Sequence, residues 1–128
     1  MMHPSAAGIP ADVGGWDEVT DYIDLHEWIL GSAEEQGARL IVPVVGSSME
    51  GAGIFPGDMV IVDTSNTDPP PGTIVLAQVN GENTIKRYEV VQGTTILLPH
   101  NHHITPIVIT PGTNFRIIGV VVMVLHRI

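Results

Sequence analysis

Thr73-Ile74-Val75-Leu76-Ala77-Gln78-Val79-Asn80-Gly81-Glu82-Asn83-Thr84-Ile85-Lys86-Arg87-Tyr88-Glu89-Val90-Val91 is two β-rich runs broken by an Asn-Gly pair. Branched and aromatic side chains favour extended backbone over residues 73–80 and 84–91. Asn-Gly is the pair that tolerates the positive φ angles of a tight hairpin turn. The stretch therefore predicts two adjacent antiparallel strands. From Arg39 onward the same texture flanks this stretch on both sides: residues 40–45 and 59–63 upstream, and 95–99, 107–110 and 115–127 downstream, each bounded by turn residues. There is no internal repeat and no alternation of strands with helices, so the body is predicted to be mostly β. Asp68-Pro69-Pro70-Pro71-Gly72 reads as a stiff surface loop and not as a linker.

Before Arg39 the composition changes. Asp24-Leu25-His26-Glu27 has the spacing of a capping box, and Leu25, Trp28 and Ile29 form an apolar stripe that ends at Gly31. One short helix is expected there. Residues 1–20 carry Pro4, Gly8, Pro10, Gly14 and Gly15 among small residues and are read as a flexible arm. The organisation expected is an arm over residues 1–20 followed by a β-rich domain over 21–128.

The bulk numbers exclude several functions. A chain of 128 residues that is 44% hydrophobic can fill the core of one domain. With 14 acidic against 5 basic residues the net charge is -9, the wrong sign for gripping phosphates or an anionic membrane surface. Direct nucleic-acid binding is not expected. The absence of cysteine removes disulfides, thiolate metal sites and thiol catalysis together. The most apolar run, residues 117–125, is too short to cross a bilayer, and residues 1–15 lack the basic start and apolar core of a signal peptide. A cytoplasmic protein is expected.

Lys86 is the only lysine. In a strand over residues 84–91 it shares a face with Thr84, Tyr88 and Val90, while Arg87 and Glu89 point the other way. Lys86 thus falls on the apolar side, where burial disfavours the ammonium and lowers its pKa. A neutral amine is a general base, and with no cysteine the hydroxyl for it to activate is a serine. Val44-Val45-Gly46-Ser47-Ser48-Met49-Glu50 offers two, on a turn that leaves a strand. The alternative is that Lys86 reaches the surface along its aliphatic stem and that both serines only cap a turn. His100-Asn101-His102-His103 invites a zinc reading, but no carboxylate or cysteine stands close in sequence to complete the ligands. Residues 115–125 are apolar on both faces, which suits either a strand buried on both sides or a dimer interface.

Taken in order, Gly46-Ser47-Ser48-Met49, Phe55-Pro56-Gly57-Asp58, Val60-Ile61-Val62-Asp63, Gly72-Thr73-Ile74-Val75 and Thr84-Ile85-Lys86-Arg87 resemble the catalytic domain of the LexA/UmuD family of autocleaving serine peptidases. The likeness continues through Leu97-Leu98-Pro99-His100-Asn101 and Pro106-Ile107-Val108-Ile109 to Ile118-Gly119-Val120-Val121. It implies a compact fold of short twisted strands. It also implies that Ser48, the serine before Met49, is the nucleophile and that Lys86 is its general base, with no cofactor and no metal. Many relatives carry Asp where Ser47 stands, so Ser47 is a departure. Ala7-Gly8-Ile9-Pro10 resembles the family's cleavage segment, which implies self-cleavage between Ala7 and Gly8. Ala52-Gly53 repeats that dipeptide but lies too close to Ser48 to fold back onto it.

With only seven residues before Gly8, and no helix-turn-helix among them, the chain resembles UmuD-type members, accessory proteins of SOS mutagenesis, more than repressors. That implies self-cleavage promoted by the RecA nucleoprotein filament and a processed homodimer joined to a Y-family error-prone polymerase subunit in translesion synthesis. The alternatives are the C-terminal autocleavage domain of a LexA-type or phage-type repressor, and a non-catalytic polymerase-binding module.

Overall fold

The computed structural model describes residues 25–31 and 38–128. The chain divides into two compact units, Met1–Gln36 and Gly37–Ile128. In the first, the helix α1 spans Leu25–Leu30. It closes where Gly31 takes a φ of 84°, the left-handed conformation that glycine adopts without strain, and the Gly31 N–H donates to the Glu27 carbonyl at 2.7 Å. The expected helix is therefore present. Asp24, the residue read as its cap, lies outside the described residues, as do the arm over residues 1–20 and the Ala7-Gly8 bond.

The second unit holds seven strands: β1 (Arg39–Pro43), β2 (Met59–Asp63), β3 (Ile74–Val79), β4 (Glu82–Val91), β5 (Thr94–Leu98), β6 (Ile107–Val108) and β7 (Phe115–Leu125). They form one antiparallel sheet in the order β1-β2-β7-β3-β4-β5-β6. The fold is mostly β with one short helix, as the sequence implies. Asn80 and Gly81, with φ of 49° and 85°, make the two-residue turn between β3 and β4, and Val79 pairs with Glu82 across it. That register sets Lys86 opposite Val75.

Both faces of the sheet are covered near its centre. β3 sends Leu76 into one cluster, with Val44, Met49, Ile54, Val60 and Val62, and sends Val75 and Ala77 into another, with Leu97. A strand buried on both faces needs an unbroken apolar sequence, and Ile74-Val75-Leu76-Ala77 supplies it. β7 lies between β2 and β3 and divides its side chains in the same way: Ile118, Val121 and Val124 pack on the first cluster, Ile117 on the second. Two breaks of register, at Ile61/Val62 and Leu76/Ala77, let this strand serve both neighbours while the sheet curves. Gly119 marks the tightest point, where a Cβ would strike the Asp63 carbonyl. Burial on both sides, one of the two readings of residues 115–125, holds only in part: Gly119 alone is buried and most β7 side chains are half-buried. Arg116 and Val122 are its exposed residues, Val122 at 44%.

Candidate active site

The site begins where β1 stops. Beyond Pro43 the backbone is held by two hydrogen bonds to the Phe55–Asp58 turn: the Val44 N–H donates to the Asp58 carbonyl at 2.8 Å and the Gly57 N–H to the Val44 carbonyl at 3.0 Å. The turn has its own anchor. The Asp58 carboxylate, 2% exposed, accepts from the Phe55 N–H at 2.8 Å and meets His126 Nδ1 at 2.5 Å. The Phe55 hydrogen bond, with help from His126, holds its pKa below the ordinary carboxylate value.

Gly46, at φ 80°, then turns the chain, and Met49 buries its side chain to 2% exposure in the first cluster. A short 3₁₀ turn, Glu50–Ala52, follows and closes on Gly53 in the left-handed conformation. Ser48 is fixed between the glycine that allows the turn and the methionine that nails it to the core. The nearby Ala52-Gly53 pair forms the end of this turn and its cap.

Lys86 reaches the same place from β4. Its side chain is 7% exposed, and Nζ donates to Thr84 Oγ1 at 2.6 Å and to Ser48 Oγ at 3.0 Å. Burial pushes the amine's pKa down. Lys86 therefore does not run out to solvent, and of the two adjacent serines it is Ser48 whose hydroxyl meets it. Ser48 and Lys86 border a cavity of about 220 Å³ whose apolar wall includes Val42, Val44, Ile54, Leu76 and Ile85. A cleft of this size and lining suits an extended peptide with small side chains better than a charged one. On the opposite side of β4, Arg87 and Glu89 form an ion pair at 3.0 Å, as their alternation with Lys86 requires.

Two features escaped the sequence reading. The first is the role of Thr84. Its place on the Lys86 face was readable, but not that its hydroxyl would take one of the amine's hydrogen bonds and so orient the amine toward Ser48. The second is the His100-Asn101 segment. It serves as a strap across the serine loop: the His100 N–H donates to the Ser48 carbonyl at 2.8 Å, the His100 carbonyl accepts from the Gly51 N–H at 2.7 Å, and Asn101 Nδ2 donates to the Ser47 carbonyl at 3.0 Å. His102 and His103 pack ring on ring, with centroids 4.0 Å apart. Among the described residues no group of three or more His, Asp or Glu side chains is placed to hold a metal. Nor is any described helix long and apolar enough to cross a membrane.

The fold is thus a mostly β, antiparallel one that sets the Ser48 hydroxyl against the buried amine of Lys86. The model of the family described as Peptidase S24-like matches residues 2–122, and the chain belongs to that family, the LexA/UmuD group. Similar curated proteins are the LexA repressor of Syntrophotalea carbinolica, 38% identical over 122 residues (95% of this chain, 56% of that protein), and the LexA repressor of Mycobacteroides abscessus, 35% identical over 112 residues (88% and 46%). A third, the LexA repressor of Corynebacterium glutamicum, is 35% identical over 123 residues (96% and 49%). The chain spans about half the length of these relatives.

Proposed function

We propose that this chain is a self-cleaving serine peptidase of the LexA type, with Ser48 as nucleophile, Lys86 as general base and the Ala7-Gly8 bond as substrate. The observation that carries the reading is the 3.0 Å approach of Lys86 Nζ to Ser48 Oγ in a site where burial lowers the amine's pKa. In its neutral form Lys86 takes the Ser48 proton as Oγ attacks the Ala7 carbonyl carbon, and the carbonyl oxygen becomes an oxyanion. The resulting ammonium returns the proton to the Gly8 nitrogen as the peptide bond breaks. A water deprotonated by Lys86 then hydrolyses the ester between Ser48 and Ala7. Thr84 Oγ1 accepts one N–H of the amine throughout and keeps the lone pair directed at the hydroxyl.

The named relatives are repressors, which supports the autocleavage domain of a LexA-type repressor over the UmuD-like mutagenesis role. The error-prone polymerase subunit and translesion synthesis draw no support from them. Promotion by the RecA filament needs only that the filament favour the conformer with residues 7 and 8 in the cleft, since the reacting groups belong to the chain itself. Homodimerisation remains part of the proposal. β7 pairs with β3 over Phe115–Val120 and with β2 over Val120–Leu125, so among the described residues each half keeps one edge without a partner strand, and a dimer contact through β7 would have that backbone edge available as well as side chains such as Val122.

The test is incubation of the full chain at raised pH, with and without RecA filament, followed by intact mass and N-terminal sequencing. A new N-terminus at Gly8 that is lost in Ser48→Ala and Lys86→Ala and kept in Ser47→Ala supports the reading. An intact chain under all conditions, or loss of cleavage in Ser47→Ala alone, sinks it.

A further inference from the structure

The peptide group joining Ser47 to Ser48 is held from outside its own loop. Its carbonyl oxygen accepts from Asn101 Nδ2 at 3.0 Å and, less closely, from the Glu50 N–H at 3.3 Å. The other end of the same amide is also engaged, because Asn101 Oδ1 accepts from the His103 N–H at 3.0 Å. These two partners fix which way the amide faces: reversed, it would set oxygen against the Ser47 carbonyl and nitrogen against an N–H. Asn101 is thus a rigid bridge between its own loop and the serine loop, 54 residues away in sequence.

A trans peptide is planar, so its C=O and N–H point in opposite directions. Drawing the Ser47 oxygen toward Asn101 consequently directs the Ser48 N–H away from Asn101. Among the described residues no acceptor engages that N–H. The nucleophile's own amide is left free, and its direction is set by a side chain that touches neither Ser48 Oγ nor Lys86.

We propose that Asn101 is a positioning residue for oxyanion stabilisation: by gripping the Ser47 carbonyl it aims the Ser48 N–H at the oxygen that becomes negative when Ser48 attacks. The inference rests on the peptidase reading above. A donor aimed at that oxygen acts only as charge develops, so its loss lowers the rate without altering the base. Asparagine is suited to the task because one end of its amide donates and the other accepts. Aspartate would keep the acceptor for His103 and replace the donor to Ser47 with an oxygen that repels it.

The experiment compares self-cleavage rates against pH for the full-length wild-type chain, Asn101→Asp and Asn101→Ala, with thermal melts of each. Both variants are expected to lose roughly 10- to 100-fold in the plateau rate, as misaimed oxyanion donors do. In Asn101→Ala the pH midpoint, which reports Lys86, is expected to stay in place. A wild-type plateau in Asn101→Asp would overturn the inference, since the turn to His103 alone would then suffice. A slow Asn101→Ala with a displaced midpoint would also overturn it, because Asn101 would then be acting through the Ser48–Lys86 contact. A wild-type chain that never cleaves overturns the peptidase reading itself, a result distinct from either.

Discussion

Gly51→Ala is the substitution that most sharply separates packing of the serine loop from its chemistry. A Cβ built on Gly51 falls 2.5 Å from the His100 carbonyl oxygen, 3.3 Å from the His100 carbonyl carbon and 3.4 Å from its Cβ, where side chains essentially never come below 3.0 Å. The obstacle is backbone, so it cannot rotate away. To accept the methyl group the strap and the serine loop must part by about 0.5 Å. That movement stretches two hydrogen bonds, Gly51 N–H to the His100 carbonyl at 2.7 Å and His100 N–H to the Ser48 carbonyl at 2.8 Å. Overpacking of this kind costs about 1 to 3 kcal/mol. For a domain of this size that is a fall in Tm of roughly 4 to 15 °C. Self-cleavage should fall further than stability suggests, by about tenfold to a hundredfold, because a small displacement of Ser48 spoils the line of attack. Gly53→Ala is the control: no atom lies within 4 Å of its Cβ, and only the φ of 80° opposes it. Its cost is about 1 to 2 kcal/mol of left-handed strain. Differential scanning calorimetry and a timed mass assay read both quantities. If Gly51→Ala melts and cleaves like the wild type, the strap is not what holds Ser48.

Other consequences follow from the same geometry. Self-cleavage should accelerate about tenfold per pH unit until Lys86 is neutral, and because burial lowers that pKa the plateau should arrive below the ordinary lysine value of about 10.4. A rate profile centred at the ordinary value would contradict the burial of the amine. Asp58 carries a depressed carboxylate pKa, so its contribution to stability is present above the unfolded value of about 3.9 and fades as pH falls through the folded one. Asp58→Asn should therefore melt below the wild type at neutral pH, and the two melting curves should converge in acid. Leu97→Ala empties a fully buried position in the second cluster and should cost about 2 to 5 kcal/mol by urea unfolding while leaving Ser48 and Lys86 untouched.

Local patterns carried most of the fold and part of the site. Period-two patterning and turn residues located all seven strands, because β-branched runs and positive-φ positions are properties of a few neighbouring residues. The same alternation assigned Lys86 to the apolar face and Arg87 to the other, as their burial and ion pair bear out. Strand order was not legible: that β7 enters between β2 and β3 depends on contacts between segments far apart in the chain. For the same reason nothing local announced that Asn101 would reach Ser47, or that the His100 backbone would strap the serine loop. The short 3₁₀ turn after Met49 was also invisible, since three residues leave no periodicity to read. Among family members, the resemblance was read toward UmuD. The similarity to LexA repressors points the other way.

The central claim is that Lys86 is a buried amine, readily neutralised, that serves Ser48, and the chain offers a direct way to test it. Lys86 is its only lysine, so lysine labelled with carbon-13 at Cε gives a single side-chain resonance. Titrating that resonance in Ser48→Ala, where cleavage cannot consume the sample, should yield a pKa below the ordinary value of about 10.4. The wild-type cleavage rate should rise through the same pH range. A Cε resonance that titrates at the ordinary value, or a cleavage profile indifferent to its titration, would contradict the assignment of Lys86 as the base.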